Sequence, residues 1–350
     1  MDSDSTARSP ESHSAHPPLR VPAREIPVPT SVSGVAPALL GMGLVIPAEP
    51  WPPVADRAAW REMIDKREAM IPVGAEGPMV SSIFGMADAG VPAEVEDVEI
   101  DGVPVYVATP DGVAPDDRRV YLALHGGAFI QGGGNISRLG AVMTAGTVGA
   151  RTWAVDYRMP PEHPFPAALD DCLTVYRRLL ADRSPADIVV GGVSAGANLV
   201  AALILRARDE GLPLPAAAVL ETIPADMSLT GDSLHTNRDV DITFVGDLEP
   251  VVALYADGHD PLDPYLSPLY GDFTAGFPPT VLTTGTRDFL LSDTVRMHRR
   301  LLAAGITAEL HVFEAAPHAM FLGMAPEDHE RGREIRAFAE RHWAAPAPRN

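Results

Sequence analysis

The apolar run Ile188-Val189-Val190 leads directly into Gly191-Gly192-Val193-Ser194-Ala195-Gly196, then into a stretch rich in alanine and leucine. A strand that turns this sharply into a helix leaves the chain little choice. Glycines are needed because the turn is tight and its neighbours pack closely on it, and the serine is left projecting from the top of a sheet. The amide of Ala195 then lies at a helix N-terminus, which favours developing negative charge.

The surrounding pattern supplies the sheet. Apolar runs at 120–124, 152–155, 188–190, 216–220, 280–283 and 309–313 read as buried strands, and helical stretches at 167–180, 197–209 and 292–303 fit between several of them. Segments 95–100 and 103–107 alternate around Asp101-Gly102, a hairpin signature, because Asp-Gly tolerates the positive φ angles of a tight turn. Alternating strands and helices with continuous apolar strands predict an α/β fold, a mostly parallel sheet of about eight strands covered on both faces. Residues 51–72 read as a helix, with Ala55, Ala58, Ala59, Met63, Ile64 and Met70 near one face. Residues 1–30 are rich in Ser, Pro and His and read as a disordered tail. Between Thr222 and Phe277 the alternation breaks into polar residues and Asp-Pro pairs, an insertion of the length usually tied to function, often as a lid.

Composition excludes several classes. With 46% hydrophobic residues among 350, the chain is not disordered as a whole, and Cys172 is its only cysteine, so neither a disulfide framework nor a cysteine-rich zinc site is expected. A net charge of −20 argues against nucleic-acid partners and against anionic membrane surfaces. No run approaches the roughly 18 apolar residues of a membrane span, and the N-terminus does not read as a secretory signal, so a cytoplasmic protein is the expectation.

The chemistry-bearing residues gather at strand ends. His125-Gly126-Gly127-Ala128 follows the strand at 120–124. An oxyanion needs two or more N–H donors aimed at one point, and glycines present amides without obstruction, so the amides of Gly126, Gly127 and Ala195 form a candidate oxyanion hole. His125 itself reads as a brace for the loop rather than as a base. A serine in this kind of turn is followed in the chain by an acid and then a histidine. Asp288 lies after the strand at 280–283 and His318 after the strand at 309–313, so both reach the carboxyl edge of the sheet with Ser194. Asp293 is the nearest rival acid, while Asp260 and Asp263 come early in this order. His311 falls inside a strand and His298 on a helix. Phe129, Phe244, Tyr255, Phe289 and Phe321 are candidate pocket residues, of which Phe129, Phe289 and Phe321 lie beside the motifs.

With these pieces in place, the chain resembles the hormone-sensitive-lipase-like esterases of the α/β-hydrolase fold, the bacterial family IV. The run from Asp156-Tyr157-Arg158-Met159 through Pro160-Pro161-Glu162-His163-Pro164-Phe165-Pro166 to Asp171 closely matches that family's signature. The resemblance covers roughly residues 95–340. The stretch 283–318 also looks like that of monoterpene lactone hydrolases, a weaker match. The resemblance implies an eight-stranded catalytic core (95–221 and 277–350) under a mostly helical cap built from 31–94 and 222–276. It implies a serine carboxylesterase acting on short to medium acyl esters through an acyl-enzyme on Ser194, with Asp288 and His318 completing the triad. Neither cofactor nor metal is implied, the partner is a small-molecule ester, and a homodimer is expected because family members often pair. Lactone hydrolysis or an amidase or deacetylase activity would use the same triad. A non-catalytic receptor, such as the plant gibberellin receptors that lost the histidine, is disfavoured by the presence of His318. Two departures stand out. Ala128 replaces the usual third glycine, and Val193-Ser194-Ala195-Gly196-Ala197 replaces Asp-Ser-Ala-Gly-Gly. Glu162 and His163 read as structural support for the oxyanion loop.

Overall fold

The computed structural model describes residues 19–23, 25–42, 50–70, 93–243, 246–318 and 320–343. Eight strands form one sheet in the order β1-β2-β4-β3-β5-β6-β7-β8. They are β1 (Ala93–Ile100), β2 (Val103–Pro110), β3 (Val120–Leu124), β4 (Arg151–Val155), β5 (Ile188–Val193), β6 (Ala217–Glu221), β7 (Thr280–Gly285) and β8 (Ala308–Phe313). Only β2 runs against the rest, because the two-residue Asp101-Gly102 turn returns the chain beside β1. From β3 onward every pair is parallel.

Parallel strands need crossovers, and these are helical. Helix α3 (Asn135–Val148) joins β3 to β4, α4 (Ala167–Asp182) joins β4 to β5, α5 (Ala195–Asp209) joins β5 to β6, α8 (Leu291–Ala303) joins β7 to β8, and α9 (Pro326–His342) follows β8. The two-residue period of the strands sorts their side chains between two layers. Leu122, Leu124, Val190, Leu220 and Leu282 pack with residues of α4, α5 and α8. Tyr121, Val189, Val219 and Val281 pack with Val148 at the end of α3 and with Ile335 and Phe338 of α9. The strand and helix positions expected from the sequence agree with these elements to within a few residues.

Among the described residues two helices precede the sheet, α1 (Ala36–Met42) and α2 (Arg57–Met70). Helix α2 starts six residues later than the sequence pattern suggests. Pro52 and Pro53 cannot lie inside a helix, and Asp56 caps the first turn by accepting the Ala59 amide at 3.1 Å. The end of the expected helix at 71–72 lies outside the described residues. Between β6 and β7 the chain forms α6 (Ser233–Thr236) and α7 (Glu249–Ala256). Trp60 and Ile64 of α2 share one buried cluster with Val251 and Leu254 of α7 and with Ile130 beyond β3. The N-terminal segment and the insertion therefore meet over the same edge of the sheet. Among the described residues no helix is long and apolar enough to cross a membrane.

Candidate active site

Ser194 sits between β5 and α5 with φ 55° and ψ −123°. A non-glycine residue rarely holds a positive φ, and such outliers persist only where the surroundings over-determine them. Here they do. A Cβ on Gly192 would come within 2.5 Å of the Gly196 carbonyl carbon, and one on Gly196 within 1.9 Å of the Leu124 carbonyl oxygen. The elbow is therefore pressed against the end of β3, where the oxyanion loop starts.

That loop is folded back on itself. Gly127 has φ +125°, and a Cβ there would lie 1.9 Å from the Gln131 carbonyl oxygen. Ala128 and Phe129 follow with φ of 54° and 65°. Among the described residues, the N–H groups of Gly126, Gly127 and Ala195 donate to no protein acceptor. The loop is held from below by the signature run. Tyr157 donates from its hydroxyl to the His125 carbonyl at 2.6 Å, Asp156 accepts the Gly134 amide at 3.0 Å, and Arg158 grips the buried Asp171 through Nε and a terminal nitrogen. Glu68 of α2 accepts the Gly132 amide at 3.2 Å. His125 stacks on Tyr157 and its Nδ1 bonds the Gly126 carbonyl at 2.8 Å. Burial pushes its pKa down, so the ring is a neutral brace.

The sequence reading places Glu162 and His163 in support of the oxyanion loop. Both are exposed, and the Glu162 carboxylate pairs with Arg61 of α2 rather than with the loop. They line a cleft of about 500 Å³ together with Arg61, Glu68, Ile130 and Asp156, which does not include Ser194. Through Arg61, Glu162 is tied to α2, whose Glu68 in turn accepts the Gly132 amide of the loop.

Asp288 follows β7 and His318 follows β8, so parallel neighbours bring them to one edge. His318 Nε2 lies 2.9 Å from Ser194 Oγ, and its Nδ1 lies 3.2 Å from Asp288 Oδ1. Asp288 is fully buried. Burial opposes its ionisation, but the bond to His318, the His318 charge, the Thr284 hydroxyl at 2.6 Å and the Leu290 amide at 2.8 Å outweigh it, and its pKa lies below the usual carboxylate value. For His318 burial disfavours the cation, yet the facing carboxylates of Asp288 and Asp241 overcome this and raise its pKa. The arrangement can remove a proton from Ser194 Oγ, hold it on Nε2, and stabilise the resulting cation.

The rival residues are elsewhere. Asp293 is buried in the first turn of α8, where its Oδ2 accepts the Asp226 amide. His311 pairs with Glu309 and Glu334, and His298 bonds the Ala308 carbonyl. Of the aromatic candidates, Phe289 leans on the His318 ring with centroids 4.6 Å apart. Phe129 stacks on the buried Tyr255, and Phe321 is fully enclosed beside Ile242 and Ala316, so neither presents much surface to a ligand. Phe244 lies outside the described residues.

Three polar residues at the triad escape a reading by motif. Thr222, with φ +49° at the end of β6, places its hydroxyl on His318 Nδ1. Asn237 and Asp241 reach the acid and histidine loops from the insertion. The only hint in the sequence is that Thr222 ends a strand at the edge where Ser194 and Asp288 gather.

Comparison with known proteins gives a consistent picture. The alpha/beta hydrolase fold family matches residues 121–322. An acetyl-hydrolase of Streptomyces hygroscopicus is 37% identical over 59% of this chain and 70% of its own length. A crystal structure of esterase E25 superposes with a TM-score of 0.80 at 37% identity, covering 93% of this chain and 99% of that one. An esterase from the bacterial hormone-sensitive lipase family superposes with a TM-score of 0.72 at 31% identity, covering 88% of this chain and 97% of that one. An eight-stranded, mostly parallel sheet with a strained serine at the end of its central strand, matched over most of its length by esterases, leaves one assignment: the chain belongs to the alpha/beta hydrolase fold family and, within it, to the esterases related to hormone-sensitive lipase.

Proposed function

We propose that this carboxylic ester hydrolase works through an acyl-enzyme on Ser194 and prefers short to medium acyl chains. The observation that carries the reading is the continuous hydrogen-bonded line from Ser194 Oγ through His318 to the buried Asp288. Ser194 Oγ attacks the ester carbonyl while His318 Nε2 takes its proton, then returns it to the departing alkoxide. Asp288 fixes the tautomer with the proton on Nδ1 and stabilises the cation that forms. The amides of Gly126, Gly127 and Ala195 receive the oxyanion, each donor contributing about 3 kcal/mol if typical. Water then enters by the same route, with His318 as base, and releases the acid.

In this proposal residues 31–94 and 222–276 form a cap over the catalytic core at 95–221 and 277–350. The shared cluster of Trp60, Ile64, Val251 and Leu254 supports it, as does the Trp51 indole N–H donating to the Asp247 carbonyl at 2.7 Å. Phe289, beside His318, is assigned to the wall of the substrate pocket. A homodimer and a cytoplasmic location complete the reading, and light scattering and cell fractionation test them.

Hydrolysis of p-nitrophenyl esters from C2 to C12 by the wild type and by Ser194→Ala tests the core of it. Activity on the short members, lost in the variant, is the expected result. Equal rates in both proteins would remove Ser194 as nucleophile.

A further inference from the structure

Asp241 belongs to the insertion between β6 and β7, yet its carboxylate is the point where the two triad loops meet. It is 1% exposed. Its Oδ2 accepts the backbone N–H of His318 at 2.9 Å and that of Phe289, the residue after Asp288, at 3.0 Å. Its Oδ1 accepts the Thr243 amide at 2.9 Å and the Thr243 hydroxyl at 2.7 Å. All four donors are neutral, so no cation offsets the carboxylate charge through these bonds. One helical turn earlier, Asn237 donates from Nδ2 to the carbonyls of Asp288 at 2.8 Å and Thr286 at 3.2 Å, and the Asp241 amide closes the turn on the Asn237 carbonyl at 3.0 Å.

The Arg287 amide bonds the Ala316 carbonyl at 3.1 Å where the two loops leave the sheet, and Asp241, accepting at the His318 and Phe289 amides with one oxygen, ties them again at the imidazole and the acid. The separation of imidazole and acid is thereby held from the insertion as well as from the sheet. The charged groups facing Asp241 are His318 and Asp288, and those facing His318 are Asp288 and Asp241. Burial and the Asp288 charge push the Asp241 pKa up, yet four donors occupy its two oxygens and leave no lone pair for a proton, so it stands as a second anion beside the imidazole and favours the cation that appears when Ser194 attacks.

We propose that Asp241 is a positioning residue for the reaction, holding the acid loop and the histidine loop in register and adding its charge to the field on His318, so that the insertion is part of the catalytic apparatus. The proposal rests on the esterase reading of Ser194, Asp288 and His318. It also gives the insertion a fixed foot.

Asp241→Asn, which keeps an acceptor and removes the charge, is measured on p-nitrophenyl butyrate between pH 5 and 9, with a fluorophosphonate probe counting competent sites. The expected result is a kcat lowered about tenfold to a hundredfold, a loss typical of slight misplacement of reacting groups. KM stays within about twofold, since Asp241 touches no substrate. The acid limb of kcat/KM moves to lower pH, because His318 loses one of its two facing anions. Unchanged kcat overturns the proposal, and so does a fall in kcat with an unmoved acid limb, which would leave only a structural tie. If Asp241→Asn does not fold, Thr243→Val carries the test. It leaves the carboxylate and weakens its anchoring, and a kcat equal to wild type overturns the proposal. Failure of the underlying reading is distinguishable, because it appears as an inactive wild type or as a Ser194→Ala variant with full activity.

Discussion

The Tyr157 hydroxyl donates to the carbonyl of His125 at 2.6 Å, while their rings lie nearly parallel with centroids 4.0 Å apart. One side chain of the Pro-rich signature thus fixes both the backbone and the side chain of the residue that opens the oxyanion loop. Tyr157→Phe keeps the stack and removes the bond. We expect kcat to fall about tenfold with little change in KM, as the loop amides lose their aim, and stability to fall by about 1 kcal/mol. Steady-state kinetics and urea unfolding measure the two effects.

His318 has a raised pKa because Asp288 and Asp241 outweigh its burial. The base must be neutral to accept the serine proton. The acid limb of kcat/KM is therefore expected above the reference value of about 6.5, higher than the sequence alone suggests for a lone histidine. A profile with full activity at pH 5 would exclude His318 as the base.

In Asp288→Asn one carboxylate oxygen becomes an NH2 group, and at the Oδ1 position it presents a donor to both His318 Nδ1 and the Leu290 amide. Turnover should drop by about 10⁴ while the fold survives. Circular dichroism beside an ester assay separates the two. Turnover within tenfold of wild type would remove Asp288 from the triad.

Ala128 occupies φ +54°, a conformation that glycine reaches without strain. An L-residue in that region bears a cost of about 1–2 kcal/mol, partly offset by the smaller entropy that alanine loses on folding. Ala128→Gly is expected to raise stability by about 0.5–1 kcal/mol. A lower thermal midpoint for the variant would show that the alanine methyl packs more than it strains.

Asp293 is buried beside Asp226, and these two influences push its pKa up to about 7. Its folded state holds the proton more tightly than the unfolded chain. The stability it contributes is complete below about pH 4 and lost as the pH rises through about 7. Asp293→Asn resembles the protonated side chain. Its thermal midpoint relative to wild type should therefore improve between pH 5 and pH 8, and a constant difference across that range would refute the assignment.

The sheet and the meeting of Ser194, Asp288 and His318 at one edge were legible because the residue types are restricted at fixed places. Ser194 needs glycine on either side, and Asp288 and His318 must follow strands that end at the same edge. The strand runs were continuous enough to mark both faces as covered, as Leu122 and Val189 on opposite layers illustrate. Asp241 and Asn237 were not legible. Their segment has no apolar period, and their partners lie 48 to 77 residues away, so nothing local distinguishes them from solvated loop residues. The route by which Glu162 acts was hidden for a related reason. A signature shows that a residue matters to the fold, not which way it points, and here the carboxylate points to Arg61 of α2.

From β5 outward the sheet adds its strands in the order in which they are synthesised, β5, β6, β7, β8. The serine is laid down first, the acid next and the base last, on the loop after the outermost strand. A nascent chain that has emerged only as far as β7 holds a strained serine with no imidazole to activate it. With the three residues acting as proposed, ester cleavage reports that the chain has been built past β8, and a variant lacking that strand and the loop after it is silent however well the rest has folded.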